Sequence, residues 1–501
     1  MEIATQPAAG VAATDAHDAS ELHDLGYDQE LRRGLGVLGN IAMGFATISP
    51  VVGLYAVVLV GMLVAGPMWV WALPVALLGN LLLVSVYSEL SSQYPISNGA
   101  YQWTRRLVGP KYAWLAGWLS VCAYLAANTT IAYLAAPWFW TLFDAVPTPN
   151  ELVATAAAFI VAASLVNAYG IDMLRRIVAL GIAAEAVASV LVGLVLLLFF
   201  NHDGLAVLFD DMGTVHTFFG GSSLAALMAV LAVAGWAFIG LDACVATAEE
   251  THDAARNVPK ALWGAMLAVG ALVLLNAFAV TLAHPDLAKV VAGADLDPVT
   301  TAVVSNFGGW AAKPFVLVVI VAFFACGLAA QGATARSVYS MARDGVLPLS
   351  SQLRKVNARQ APIGGIVAVT AVGIAGLLLA LNSAAIGSLI AFGTAVIYLV
   401  FFLIALAALW GRVSGRWVPA GTVRLGRRGT IINAAAVAWL GFEFVNIAWP
   451  RSILAPVGAP WYQVWAGAIV TVLVIAVGAA YLLLKRPDRL LDASTSFADQ
   501  A

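Results

Sequence analysis

Apolar residues run along this chain in long blocks, without the alternation of a surface strand. Stretches of about 20 or more apolar residues begin near positions 36, 68, 113, 151, 176, 223, 261, 314, 362, 385, 431 and 464, with short polar connections between them. Each is long enough to cross a hydrocarbon core of about 30 Å as an α-helix. The pattern therefore predicts an all-α integral membrane protein with about twelve transmembrane helices. The fourth span, near 151 to 169, and the eleventh, near 431 to 448, are the shortest.

Composition agrees: of 501 residues, 62% are hydrophobic and 10% charged, against roughly 25% charged in soluble domains. The net charge of -2 carries little information, but the placement of the basic residues carries a great deal. With twelve spans, alternate connections put 22 of the 25 lysines and arginines on the side of the two termini, leaving Lys289, Lys313 and Arg451 opposite. By the positive-inside rule both termini are then cytoplasmic, in a multi-pass protein of the cytoplasmic membrane. Residues 1–33 are polar and acidic and lack the order of a signal peptide, so they read as a disordered cytoplasmic tail. A ten-helix core is expected over 34–412, two further helices over 413–485, and a second cytoplasmic tail over 486–501.

Two spans are interrupted. The first contains Ser49, Pro50 and Gly53 near its middle, and the sixth, in GWAFIGLDACV at 235–245, carries Gly235, Gly240 and Asp242 at similar depth. A spanning helix can be broken only where the freed backbone faces protein or a watery cavity. The breaks lie five spans apart, an odd offset that would invert a second copy of a five-helix unit, as in transporters whose discontinuous helices meet at the midplane. Simple kinks are the plainer alternative. An aspartate at this depth costs about 2.5 to 3.5 kcal/mol on insertion scales, so Asp242 is expected to face a cavity or partner. It could be a neutral acid capping a helix half, a proton-titrating group, or a contact for a substrate amino group. Trp236 and Phe238 precede the break and could cover a bound ammonium; packing is the commoner use of such rings.

Other intramembrane polar residues are weaker candidates. Glu185 in the fifth span could couple protons, pair with a cationic substrate, or hydrogen-bond another helix. Tyr124 and Asn128, one turn apart in the third span, share a face and could reach the site or join helices. Tyr398 is a further candidate lining residue. Glu89, at the end of the second span, reads as solvated or capping, and Glu443 in the eleventh as packing or an oligomer contact. The three cysteines fall in apolar runs and the six histidines in the tail or connections, so no metal site or cofactor is expected. No HExxH or GxSxG motif lies in the spans, which argues against an embedded enzyme.

Three segments carry a resemblance. GWAFIGLDACVATAEETHDAARNVPKAL at 235–262, with the acidic pair Glu249–Glu250 and then Asn257 and Pro259, resembles the sixth helix and following loop of the amino acid-polyamine-organocation superfamily. ARSVYSMARDGVLPLSSQLRKVNARQAP at 335–362 resembles its loop after helix eight, and SELSSQYPISNGAYQW at 88–103 the end of its helix two. Ser49-Pro50 and the Ala65-Gly66-Pro67 before a Trp-rich second span look most like the branch carrying GABA, choline and polyamines. The resemblance implies five plus five inverted helices with two added, alternating access, and commonly proton symport.

It also implies site residues. Backbone amides at Val51, Val52 and Gly53 correspond to those that hold a substrate carboxylate, beside Ser49. Trp236, with Phe238 as the alternative, matches the aromatic that closes over substrate, while Ile239, Gly240 and Asp242 fall in the unwound part of helix six. Val51 and Val52 replace small residues and narrow the first break. The helix-five lysine that some relatives use for proton coupling is absent, so Asp242 or Glu185 would take that role. The expected protein imports a small, GABA-like amino acid or amine with a proton and has no nucleic-acid partner. An exchanger, an exporter or a non-transporting sensor of the same fold remain alternatives, and the oligomeric state is open.

Overall fold

The computed structural model describes residues 9–381, 383–455 and 458–495; these are mostly helical, with a lone bridge between Leu35 and Thr251 in place of any strand. Eleven stretches among them are long and apolar enough to cross a membrane, and the first, Val37–Gln93, has 57 residues. As one helix it would rise about 86 Å, nearly three bilayer cores. It is instead two crossings. Gly66 takes φ 57 and opens a 3₁₀ turn, Gly66–Trp71, between Pro50–Ala65 and Ala72–Gln93. The Trp69 ring folds back so far that a methyl group on Gly61 would lie 2.6 Å from it. Positions eight apart on a continuous helix would stand about 12 Å apart.

The twelve crossings divide into an inner and an outer set. The first, third, sixth, eighth and tenth spans are mostly buried by their neighbours, whereas the fourth, fifth, ninth, eleventh and twelfth keep wide outward faces. The third span, Pro110–Thr141, packs on the eighth, Ala312–Arg343, and the tenth, Ser383–Val413. Span seven, Ala254–Ala283, supports the first and second, while span eleven, Gly429–Ala448, and span twelve, Ala466–Lys485, lean on the tenth. The core thus surrounds the two interrupted helices.

The expectation of a disordered N-terminal tail does not hold for residues 9–33. Residues 1–8 and 496–501 lie outside the described residues, but Ala9–Asp24 is a helix, and Leu22 and Leu31 are buried. Asp18 accepts the amide of Asp253 at 2.8 Å, the Tyr27 hydroxyl donates to Asp344 at 2.8 Å, and Tyr339 donates to Glu30 at 2.7 Å. Asp18 and Glu30, two of the acids that suggest a solvated tail, are acceptors for donors far away in sequence. At the other terminus Asp488–Thr495 is also helical, and Arg105 donates to the Leu491 carbonyl at 3.1 Å. Glu89 is likewise not solvated: it is buried, paired with Arg412, and accepts the Leu425 amide at 2.9 Å.

Candidate functional site

In the first span, Val37–Ile48 stops at Ser49, whose φ of 50 and ψ of 109 belong to no helix, and Pro50 starts the second half. Proline suits that position because its missing N–H would have had no intrahelical partner. The Ser49 hydroxyl oxygen caps the new helix by accepting the Val52 amide at 3.2 Å, and the Gly53 amide returns to the Ser49 carbonyl at 2.8 Å.

In the sixth span, Ser223–Ala234 tightens to a 3₁₀ turn over Gly235–Phe238; Ile239 is extended, Gly240 takes φ 128, and a short helix resumes at Asp242–Ala246. The Gly235 carbonyl accepts the Tyr398 hydroxyl at 3.1 Å, which itself accepts from Asn80 at 3.2 Å. Tyr398 is fully buried. It holds the break together rather than lining an open cavity.

The breaks touch. A methyl group on Gly53 would lie 3.1 Å from Ala237 Cα, and one on Gly240 2.8 Å from the Thr47 carbonyl carbon. Two glycines therefore let the two backbones cross in contact: a side chain at Gly240 would force them apart, and one at Gly53 would be tight. Below the crossing, Asn40 donates to the Cys244 carbonyl at 3.0 Å and to Thr251 at 2.8 Å, fastening the first half of span one to the second half of span six.

Asp242 stands at this crossing, partly buried, and both its oxygens are engaged: Oδ1 accepts the Tyr87 hydroxyl at 3.0 Å and Oδ2 that of Tyr124. Spans two, three and six thus converge on one carboxylate. Trp236 is half-buried while Phe238 is fully enclosed and Ile239 buried, so of the two aromatics Trp236 keeps some exposed surface. Glu185 reaches the crossing from span five. It is buried, its Oε1 accepts the Ser49 hydroxyl, and its Oε2 has no hydrogen-bond partner among the described residues. Directly after it the helix widens into a π segment, Ala186–Val192, and Asn276 donates to the Ser189 carbonyl at 3.1 Å. Such bulges recur where helices serve a function.

Asn128 is placed differently. Its buried amide nitrogen has no hydrogen-bond partner among the described residues, and it lines a cavity of about 20 Å³ with Ile131, Phe323 and Gln331, room for about one water. Glu443 is buried against the core, with both oxygens unpartnered among the described residues.

Sequence reasoning missed Tyr87, Asn80 and the ion pairs that close the terminal side. Tyr87 sits in the run Ser85-Val86-Tyr87-Ser88-Glu89, an unusually polar end for a span, and that polarity was the available signal. On the terminal side Glu250 pairs with Arg336 through two bonds, one of 2.8 Å, and Glu249 with Arg343 at 2.9 and 3.1 Å. The Arg343 guanidinium also lies 4.0 Å from the Tyr27 ring centre. Burial, then the charge of Asp344, pushes the Tyr27 phenol up to about 12, so it remains a hydrogen-bond donor at neutral pH. This end of the crossing is closed. Among the described residues no group of three or more His, Cys, Asp or Glu could hold a metal ion.

A family model described as amino acid permease matches residues 35–477. The chain is 27% identical to the amino-acid permease BAT1 homolog of Oryza sativa subsp. japonica over 89% of this chain and 91% of that protein. It is 25% identical to amino-acid permease BAT1 of Arabidopsis thaliana over 84% and 86%. It is also 25% identical to the low-affinity putrescine importer PlaP of Escherichia coli strain K12, over 64% of this chain and 69% of the importer. With its all-α membrane fold and its pair of crossed, broken spans, the chain belongs to the amino acid permease family of the amino acid-polyamine-organocation superfamily, and is a multi-pass membrane transporter of amino acids or amines rather than an enzyme.

Proposed function

We propose that the protein imports a small, amine-bearing solute of about the size of GABA across the cytoplasmic membrane, by alternating access and with a proton. Both termini face the cytoplasm in this reading, which the basic bias of the terminal side supports. The observation that carries it is the carboxylate of Asp242 at the crossing of two broken helices, held by Tyr87 and Tyr124. A carboxylate at that depth suits an ammonium group, and the partly exposed Trp236 is an aromatic that can stack on the same cation.

Two features favour an amine over an ordinary α-amino acid. Asp242 and Glu185 both stand at the crossing, whereas every lysine and arginine lies toward an end of a span or in a connection. Val51 and Val52 are buried bulky residues at the first break, leaving less room for a substrate carboxylate beside the Val51, Val52 and Gly53 amides. Similarity to a putrescine importer supports the same class. The two acids take different roles: Asp242, with both oxygens occupied by hydroxyl donors, meets the substrate, and Glu185, with one oxygen open, carries the proton.

The test is uptake into proteoliposomes of labelled GABA, putrescine, choline and neutral, acidic and basic amino acids, with and without an inward proton gradient. Accumulation of an amine only with the gradient is expected. Exchange from preloaded vesicles without net accumulation would make the protein an antiporter and overturn the import reading.

A further inference from the structure

A second cleft, of about 540 Å³, lies on the terminal side, apart from the helix crossing. It is lined by Arg32 from the N-terminal segment, by Tyr169, Asp172 and Arg176 at the junction of spans four and five, and by Arg359 from the connection after span eight. The three elements are tied to one another. Arg32 pairs with Asp172 at 2.9 Å, Arg175 donates to the Gly34 carbonyl at 3.0 Å, and Asn357 donates to the Ala168 carbonyl at 2.8 Å. The Arg359 guanidinium lies 4.4 Å from the Tyr169 ring centre.

The charge is one-sided. Asp172 is the acid of the cleft and is already engaged by Arg32, while Arg176 is exposed and has no ion-pair partner among the described residues. Arg359 adds to the excess.

What distinguishes the cleft from an ordinary basic rim is the surface beside it. Met173 and Leu180 stand three residues before and four after Arg176, so they share its helix face, and Val187 continues that face. Leu165 and Val161 continue the face of Tyr169 in span four in the same way. All five apolar side chains are exposed on outer spans. Cationic groups therefore end two apolar stripes, the order in which a lipid presents headgroup and chains.

We propose that this cleft binds the phosphate headgroup of an anionic phospholipid, with the acyl chains lying along the Met173–Leu180–Val187 and Val161–Leu165 stripes. The headgroup bridges Arg32, Arg176 and Arg359. It thereby joins the N-terminal segment, the foot of span five and the loop after span eight, all at the closed end of the protein. The site stands whether or not the transport reading above is right in its details.

The experiment follows thermal unfolding of the purified full-length protein in neutral detergent, titrated with dioctanoyl phosphatidylglycerol, dioctanoyl phosphatidylcholine or inorganic phosphate. Stabilisation by phosphatidylglycerol alone is expected. Arg176→Gln should raise its half-saturating concentration about 5-fold, and Arg176→Gln with Arg359→Gln roughly 30-fold. The single variant removes an exposed side chain with no ion-pair partner among the described residues, so it keeps the test informative if loss of Arg359 disturbs its loop. Equal stabilisation by inorganic phosphate would make this a free-anion site, and equal stabilisation by phosphatidylcholine a general lipid surface. Either result overturns the proposal, as does an unchanged phosphatidylglycerol response in both variants.

Discussion

The backbone of Gly240 lies against that of Thr47, so near that a methyl group on Gly240 would stand 2.8 Å from the Thr47 carbonyl carbon. The contact joins the two interruptions of the chain, and it is made at φ 128, a backbone conformation closed to ordinary side chains. Two helices broken at equal depth need not meet. Here close approach at Gly240 and Gly53 makes them one structural unit, so that movement of either half-helix is felt at both breaks.

Gly240→Ala should therefore impair transport severely. Backbone strain of about 1 to 3 kcal/mol adds to the clash, and roughly a tenfold or greater loss of uptake is expected. Gly36→Ala is the control, since nothing lies within 4 Å of a methyl group there and its φ is not positive. Uptake rates at equal membrane abundance decide the matter; equal activity of the two variants would remove the importance of the crossing.

Asp242→Asn and Trp236→Ala should each abolish or sharply weaken uptake while membrane insertion stays intact. Tyr124→Phe removes one hydroxyl from a charged acceptor, a bond worth about 1.5 to 3 kcal/mol, and should reduce apparent substrate affinity by roughly 10- to 100-fold. Normal transport by Asp242→Asn and Trp236→Ala together would move the substrate site elsewhere.

Glu185→Gln separates binding from coupling. The amide oxygen can still accept the Ser49 hydroxyl, so the first break keeps its shape, but the group no longer takes up a proton. Counterflow of preloaded substrate should persist while gradient-driven accumulation is lost. If accumulation instead tracks the gradient as in the unaltered protein, Asp242 or another group carries the proton.

The positions of the breaks were legible in the sequence because proline, glycine and aspartate are conspicuous in an apolar run. Span number was legible for the same reason, even where Val37–Gln93 runs on without a polar gap, since the turn at Gly66 has glycine and proline in sequence. What could not be read were partners. Ser49 and Glu185 are 136 residues apart, and Tyr87 and Asp242 155, and helix facing is set by packing that no local pattern encodes. The N-terminal segment failed for a related reason: Asp18 and Glu30 are acceptors for the Asp253 amide and the Tyr339 hydroxyl, so acidity that signals solvation locally is satisfied by distant donors. Tyr124 and Asn128 share a face in sequence, yet one meets Asp242 and the other a small separate cavity.

The closed end depends on buried ion pairs, and their worth can be measured against an exposed one. Arg336 and Glu250 have side chains only 2% and 1% exposed, whereas Lys313 and Asp144, 2.7 Å apart, are 58% and 76% exposed. Removing one member of a buried pair strands the other charge and costs about 3 to 5 kcal/mol, while an exposed pair contributes about 0 to 1. Glu250→Met and Arg336→Met should each lower the unfolding temperature clearly, and Lys313→Ala should not. Glu250→Met combined with Arg336→Met removes both charges together and should cost less than the two single changes added. A double-mutant cycle on unfolding temperature tests this: additive losses would mean that Glu250 and Arg336 act independently, and that the terminal side is held shut by apolar packing rather than by this pair.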